Sequence, residues 1–416
     1  MHPDSRAKDA GDIAAKFIAR EYMIIKTMEN RERTAAVRYH ACTKPAKKRR
    51  RMAGRILILI MERTGSVMRN FGKRQLGLLA AAMLAVTLTG CGGEGERTQG
   101  AMELIQNLDY RGALEQLNLA EENGENARLV NRARGIACMG LTDYEQAAAY
   151  FEAALAGSNG LVQNVDFDLN FYLAAAYTKS GRNIEAESIY DAILALRPGA
   201  EDAYFLRGNV RLALNNYEGA KADFDKVISM DTHNYDRLIE IYEVLDYYGY
   251  GGDGQAYLRT ALESGDKEMD KYASGRIYYY LGEYQNACLD LEEAREKGGV
   301  ESYLYLGRAY EATGDYNYAA NVYNSYLEKY EGNAEMYNQL GLCEMTRGEY
   351  GKALEAFQAG MQLENTTMMQ TLAFNEIVAY ERLGEYAQAY ILMGNYLNNY
   401  PDDQQARREY EFLSTR

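Results

Sequence analysis

The chain has 416 residues, 47% of them hydrophobic, enough for one large core or a long array of small ones. Charge divides it: residues 1–90 hold 19 Lys or Arg against 7 Asp or Glu, a net of +12, which leaves −26 for residues 91–416. An acidic body repels phosphate backbones, which excludes nucleic acid as its partner, and its one histidine, His233, leaves little for metal sites or catalytic triads.

In chain order, residues 1–67 are basic, end in KPAKKRRRMAGRILILIM and show no sustained period, so no fold is expected of them. From Met68 the order changes. MRNFGKRQ supplies a short positive flank, and residues 76–88 form an apolar run too short for an ordinary membrane span. The run closes on Leu88-Thr89-Gly90-Cys91, which resembles the lipobox of bacterial lipoproteins. That resemblance implies a signal peptide over 68–90, lipidation of Cys91 as the first mature residue, and a membrane attachment on the extracytoplasmic face. Residues 91–100, beginning CGGEGE, then read as a flexible tether. Translation is expected to start at Met68, with 1–67 a spurious or disordered extension. The alternatives are a buried helix over 76–88 and a basic arm over 1–67.

The body repeats. Ala113, Ala147, Ala186, Ala220, Ala287, Ala319, Ala353 and Ala389 recur at 32 to 39 residues, with Gly254 filling the gap between Ala220 and Ala287. Three residues before this anchor stands Tyr110, Tyr144, Tyr217, Tyr284, Tyr316, Tyr350 or Tyr386. Five before it stands Gly181, Gly282, Gly314, Gly348 or Gly384. Twelve before it the residue is small, as at Gly135, Gly208, Gly275, Gly307 and Gly341; four after it the residue is bulky, as at Phe151, Tyr190, Phe224 and Phe357. The body's two prolines, Pro198 and Pro401, each lie twelve after an anchor.

This phasing resembles the tetratricopeptide repeat (TPR). The resemblance implies an all-α solenoid over 101–402, about nine helix-turn-helix units stacked into a right-handed superhelix, with a capping helix over 403–416. Small residues would let paired backbones approach, and glycine would supply the left-handed exit from each first helix. The wide spacing places an insertion near AGSNGLVQNVDF (156–167). In YYGYGGDGQAY (247–257) the fifth repeat loses its tyrosine and alanine, so a hinge, a ligand loop and a degenerate repeat all remain open.

No phosphate loop, nucleophile elbow, HExxH or CxxC occurs, so no catalytic residue, metal or cofactor is expected. Cys138, Cys288 and Cys343 fall in predicted helices as small buried residues. The TPR resemblance implies a concave groove lined from the first helices. Carried onto this chain, its residues are Phe171, Phe205, Asn209, Tyr272, Arg276, Tyr279, Tyr280, Arg308, Glu311, Asn338 and Phe374. Arg276 and Arg308 stand at equivalent places in successive repeats, either to hold an acidic partner segment or to pair internally with neighbouring Glu. The expected function is a lipid-anchored, non-catalytic scaffold that binds protein or peptide segments. The alternative is a glycan-binding surface lipoprotein that stacks sugars on groove tyrosines.

Overall fold

The structure, a computed structural model, describes residues 95–416 apart from 159, 266, 298, 331, 364–367 and 402. The apolar run and Cys91 lie outside the described residues, as does the upstream basic segment. Among the described residues there are nineteen α-helices and no strand. No helix among them is long and apolar enough to cross a membrane.

Eighteen of the helices form nine pairs, and the chain divides into two compact units at Met230 and Asp231. The first unit pairs α1 (Glu96–Gln106) with α2 (Tyr110–Glu122) and α3 (Ala127–Gly140) with α4 (Tyr144–Ala156). It continues with α5 (Asn164–Lys179) and α6 (Asn183–Leu196), then α7 (Glu201–Ala213) and α8 (Tyr217–Met230). The second unit opens with α9 (Tyr235–Tyr247) and α10 (Gly251–Glu263), followed by α11 (Lys271–Tyr280) and α12 (Tyr284–Ala294). Next come α13 (Gly299–Thr313) with α14 (Tyr316–Lys329), and α15 (Ala334–Arg347) with α16 (Tyr350–Met361). The last pair is α17 (Met369–Leu383) and α18 (Tyr386–Asn399), and the single helix α19 (Gln404–Leu413) packs on α18.

Each phased position has a physical task. The residue five before the anchor has positive φ in all nine pairs, between 59° and 86°, which turns the chain from the first helix into the second. All eight anchor alanines are fully buried. The small residue on the first helix faces the bulky one sixteen residues later on the second. A Cβ on Gly307 would stand 2.1 Å from the Tyr323 ring, and one on Gly341 would stand 2.3 Å from Phe357. Glycine is thus set by close approach, not by backbone conformation.

The fifth pair follows the same logic with the sizes exchanged. Tyr242 stands at the small position of α9, and Gly254 replaces the anchor alanine of α10; a Cβ on Gly254 would lie 2.9 Å from Tyr242 Cδ2. The added bulk on the first helix is met by the missing methyl at the anchor, while Leu258, four residues on, is still fully buried. YYGYGGDGQAY therefore forms a regular turn, with φ 86° at Gly249, followed by a packed helix.

One boundary departs from expectation. Helix begins at Glu96, so the tether expected over 91–100 does not extend through its last five residues. The cause is Glu125, whose carboxylate accepts from Arg97 N (3.1 Å), Thr98 N (3.0 Å) and Thr98 Oγ1 (2.6 Å), supplying acceptors at a helix end that has no side-chain cap. The insertion lies between α4 and α5, with Gly160 at φ 78°.

Candidate functional site

First helices of neighbouring pairs touch one another: α1 with α3 and α3 with α5 in one unit, α9 with α11, α11 with α13 and α13 with α15 in the other. The side chains between them decide what this face can bind. In the first unit the junctions carry ion pairs, Arg128 with Asp166 and Arg132 Nε with Asp168 at 2.6 Å. A second network lies within the fourth repeat and its neighbour. There Arg207 reaches Asp223 and Asp191, each at 2.6 Å, and Arg211 reaches Glu187 at 2.7 Å.

Of the three expected groove residues in this unit, two are buried in the core. Phe205 is 2% exposed with its ring centroid 6.1 Å from Phe224, and Phe171 is buried 6.1 Å from Tyr190. Aromatics turned toward the second helix stabilise their own repeat and offer no ring to a partner. Asn209 is half-buried on α7.

The second unit gathers six of the expected residues into one cluster on α11 and α13. Arg276 is 5% exposed, with its guanidinium 4.9 Å from the Tyr272 ring and 5.3 Å from Tyr305. It forms an ion pair with Asp236 of α9, while its buried Nε has no hydrogen-bond partner among the described residues. Arg308 lies 5.9 Å from the same Tyr305 ring and pairs with Glu335 of α15 at 2.6 Å. Both arginines are therefore internally paired. Their counter-ions are the more exposed partners, the Asp236 side chain at 72% and that of Glu335 at 43%.

Tyr279 packs its ring at 5.6 Å from both Tyr280 and Tyr305. Tyr280 donates its hydroxyl to Glu243 at 2.7 Å, so the 3.0 Å contact between the Tyr280 and Tyr305 hydroxyls has Tyr305 as donor. Burial raises the Tyr272 phenol to about 12, and burial with nearby Tyr305 and Glu243 raises Tyr280 further. Glu311 accepts from Tyr323 at 3.2 Å. Burial raises its carboxyl above the usual range, although the Tyr323 hydrogen bond and Arg308 oppose the shift.

Asn338 and Phe374 lie in the following repeats, Asn338 buried and accepting from Asn375 at 2.8 Å, Phe374 edge-on to Tyr396 at 5.7 Å. The centre of the cluster, Tyr305, is missing from the sequence-derived set, as are Asp236, Glu243 and Glu335. One signal pointed to it: Tyr305 stands three residues before Arg308, on one helical face.

Cys138, Cys288 and Cys343 are buried free thiols, pushed up by burial to about 11, 11 and 12 respectively, which makes them poor nucleophiles and metal ligands near neutral pH. Among the described residues, no group of three or more His, Cys, Asp or Glu is placed to hold a metal ion.

With this geometry in view, the similarities to known proteins can be placed. Family models of the tetratricopeptide repeat match residues 201–234, 272–334 and 304–362. The chain thus carries tetratricopeptide repeats, and its fold is an all-α solenoid of that class. It is 24% identical over 197 residues to RNA polymerase II-associated protein 3 of Xenopus laevis, a match covering 47% of this chain and 22% of that protein. The counterpart in Xenopus tropicalis is 25% identical over 162 residues, covering 39% and 22%. The match thus spans about a fifth of the length of these curated relatives. Among solved structures, a tetratricopeptide repeat protein from Parabacteroides merdae is 17% identical, with a TM-score of 0.37 over 68% of this chain and 97% of that one. TTC0263 of Thermus thermophilus is 18% identical, with a TM-score of 0.33 over 52% and 100%.

Proposed function

We propose that the chain is a lipid-anchored, extracytoplasmic scaffold that binds segments of other proteins on the first-helix face of its second unit, without catalysing a reaction. Repeats of this class bind protein or peptide partners, which supports the general kind of ligand. The single observation that carries the choice of site is the cluster of Tyr272, Arg276, Tyr279, Tyr280, Tyr305 and Arg308 on α11 and α13. Arginine and tyrosine are the residue types that concentrate binding energy at interfaces. A partner's carboxylate would compete with the exposed counter-ions Asp236 and Glu335, and it would reach Arg308 more readily than the buried Arg276. The anchor reading rests on Leu88-Thr89-Gly90-Cys91 and the charged flank before it.

Two measurements test this reading. Crosslinked capture from native envelopes compares the wild type with an Arg276→Ala, Tyr279→Ala, Arg308→Ala variant that circular dichroism shows to be folded. A protein retained by the first and lost by the second is the expected result; capture of glycan alone, or of the same proteins by both, defeats the site assignment. Metabolic labelling with a clickable fatty acid should mark the wild type and leave Cys91→Ser unmarked. Equal labelling of the two would remove the anchor.

A further inference from the structure

A cleft of about 340 Å³ opens between the second helices α14 and α16, above the first helix α15. None of its lining residues belongs to the tyrosine–arginine cluster. Its floor is apolar, made by Leu327 of α14 with Tyr337 and Leu340 of α15. On the α16 side Ala359 leaves the space that a larger residue would fill. The volume falls within the range of sites that take a ligand or a few side chains.

The rim has a definite charge. Glu328 on α14 and Glu355 on α16 are exposed on opposite walls, and among the described residues neither makes an ion pair or a hydrogen bond. This sets them apart from the other acids near the cleft. Glu344, deeper in the wall, is buried and closed off by Arg347, with both oxygens held at 2.6–2.7 Å. Lys352 also lines the cleft, but its ammonium pairs with Glu349, which does not, at 3.4 Å. Two unpaired carboxylates thus stand on the two second helices that bound a cleft whose apolar lining includes the Tyr337 ring, in a body of net charge −26.

We infer that this cleft is a second docking site, separate from the first-helix face, for a short basic segment of another protein that presents Arg or Lys beside aliphatic residues. The cation would lie between Glu328 and Glu355. Its methylene stem would rest on Leu340 and Tyr337, where the ring face adds cation–π attraction. Long-range attraction from the acidic body favours the encounter, and the apolar floor separates this segment from any other polycation.

The test is isothermal titration calorimetry of the full chain with a capped nine-residue peptide alternating Leu and Arg, against its Leu/Glu counterpart. One-to-one binding of the arginine peptide alone is expected. Glu328→Gln with Glu355→Gln should weaken it about tenfold, and Ala359→Phe, which fills the cleft, should weaken it at least as much. The Arg276→Ala, Tyr279→Ala, Arg308→Ala variant should bind this peptide as the wild type does, which separates this site from the first-helix face. Unchanged affinity in the Glu328→Gln, Glu355→Gln variant would show attraction to the acidic body at large and overturn the assignment. Equal binding of the Leu/Glu peptide, or no binding of the arginine peptide, would overturn it as well. Both glutamates are exposed, so that variant keeps the test decisive if Ala359→Phe does not fold.

Discussion

Thr142 holds φ at 61°, at the turn position where six of the nine pairs place glycine. A β-branched residue in the left-handed region strains its backbone, and the helices on either side keep it there. Thr142→Gly removes that strain but adds freedom to the unfolded chain. We expect a net gain of about 0.5–1 kcal/mol, read as a higher denaturant midpoint at unchanged slope. Asn215, at φ 59° in the equivalent place, should gain less from the same change because asparagine tolerates this region. Glu381 gives a pH-dependent case. Burial, aided by the charge of Glu409 on α19 and opposed by Arg382, raises its carboxyl to about 7. A carboxyl raised on folding favours the native state when neutral, so its contribution is present at about pH 4–5 and is lost as pH rises through about 7. Melting temperature should therefore fall over that window in the wild type and fall less in Glu381→Gln. Neither the strain at Thr142 nor the shift at Glu381 could be read from sequence. Only glycine announces a left-handed turn, so Leu108, Thr142 and Asn215 carry no mark of theirs, and Glu381 is perturbed by a helix that follows it by two turns of fold.

At the scale of the helix pair, the contact between the small and the bulky residue is what the period encodes. The fifth pair shows that the contact, not the residue type, is preserved. Gly254→Ala alone should cost about 1–3 kcal/mol, because the new methyl meets Tyr242 at 2.9 Å and the Tyr242 backbone at 3.1 Å. In a Tyr242→Ala background the ring contact is gone and only the backbone contact at 3.1 Å remains. The double-mutant cycle should give a coupling of at least about 1 kcal/mol; additive effects would show that the exchange of bulk is not a packing relation. This pair also shows how far sequence reading reached. Eight pairs were legible because alanine, glycine and aromatic residues recur in phase, each at a position fixed by close approach. The fifth kept the spacing through Gly254 but lost its tyrosine and alanine, so its residue types could not say whether it was a hinge, a ligand loop or a packed pair. The cluster at Arg276 was legible in the same partial way. Position along the first helices named both arginines and three of the tyrosines. The choice of Asp236 and Glu335 as their counter-ions depends on rotamers and on junctions between repeats, which no spacing within one repeat contains.

Within each unit, each pair packs on its sequence neighbours, and the unit's stability is then a sum of local terms and junction terms. That arrangement predicts how damage spreads. Phe357 is fully buried and fills the approach left by Gly341, so Phe357→Ala should remove about 3–5 kcal/mol from the pair α15–α16. In a single cooperative core the loss would reach every protected amide. In a stack it reaches the damaged pair and the helices that share its junctions, α13, α14 and α17. Helices α1 to α8 belong to the other unit and should keep their protection. Native-state hydrogen exchange followed by mass spectrometry separates the two outcomes, because peptides from each helix report their own opening free energy. A loss graded outward from α15–α16 supports the stack. An equal loss in α3 and α16 would require coupling between the units strong enough to make them unfold as one. Graded loss also bears on binding: α11 lies a full pair from the lesion, whereas α13 touches α15 and its Arg308 pairs with Glu335 of α15. In Phe357→Ala the tyrosine–arginine face should then weaken in part, through Arg308, while the cleft lined by α15 and α16 should lose its ligand.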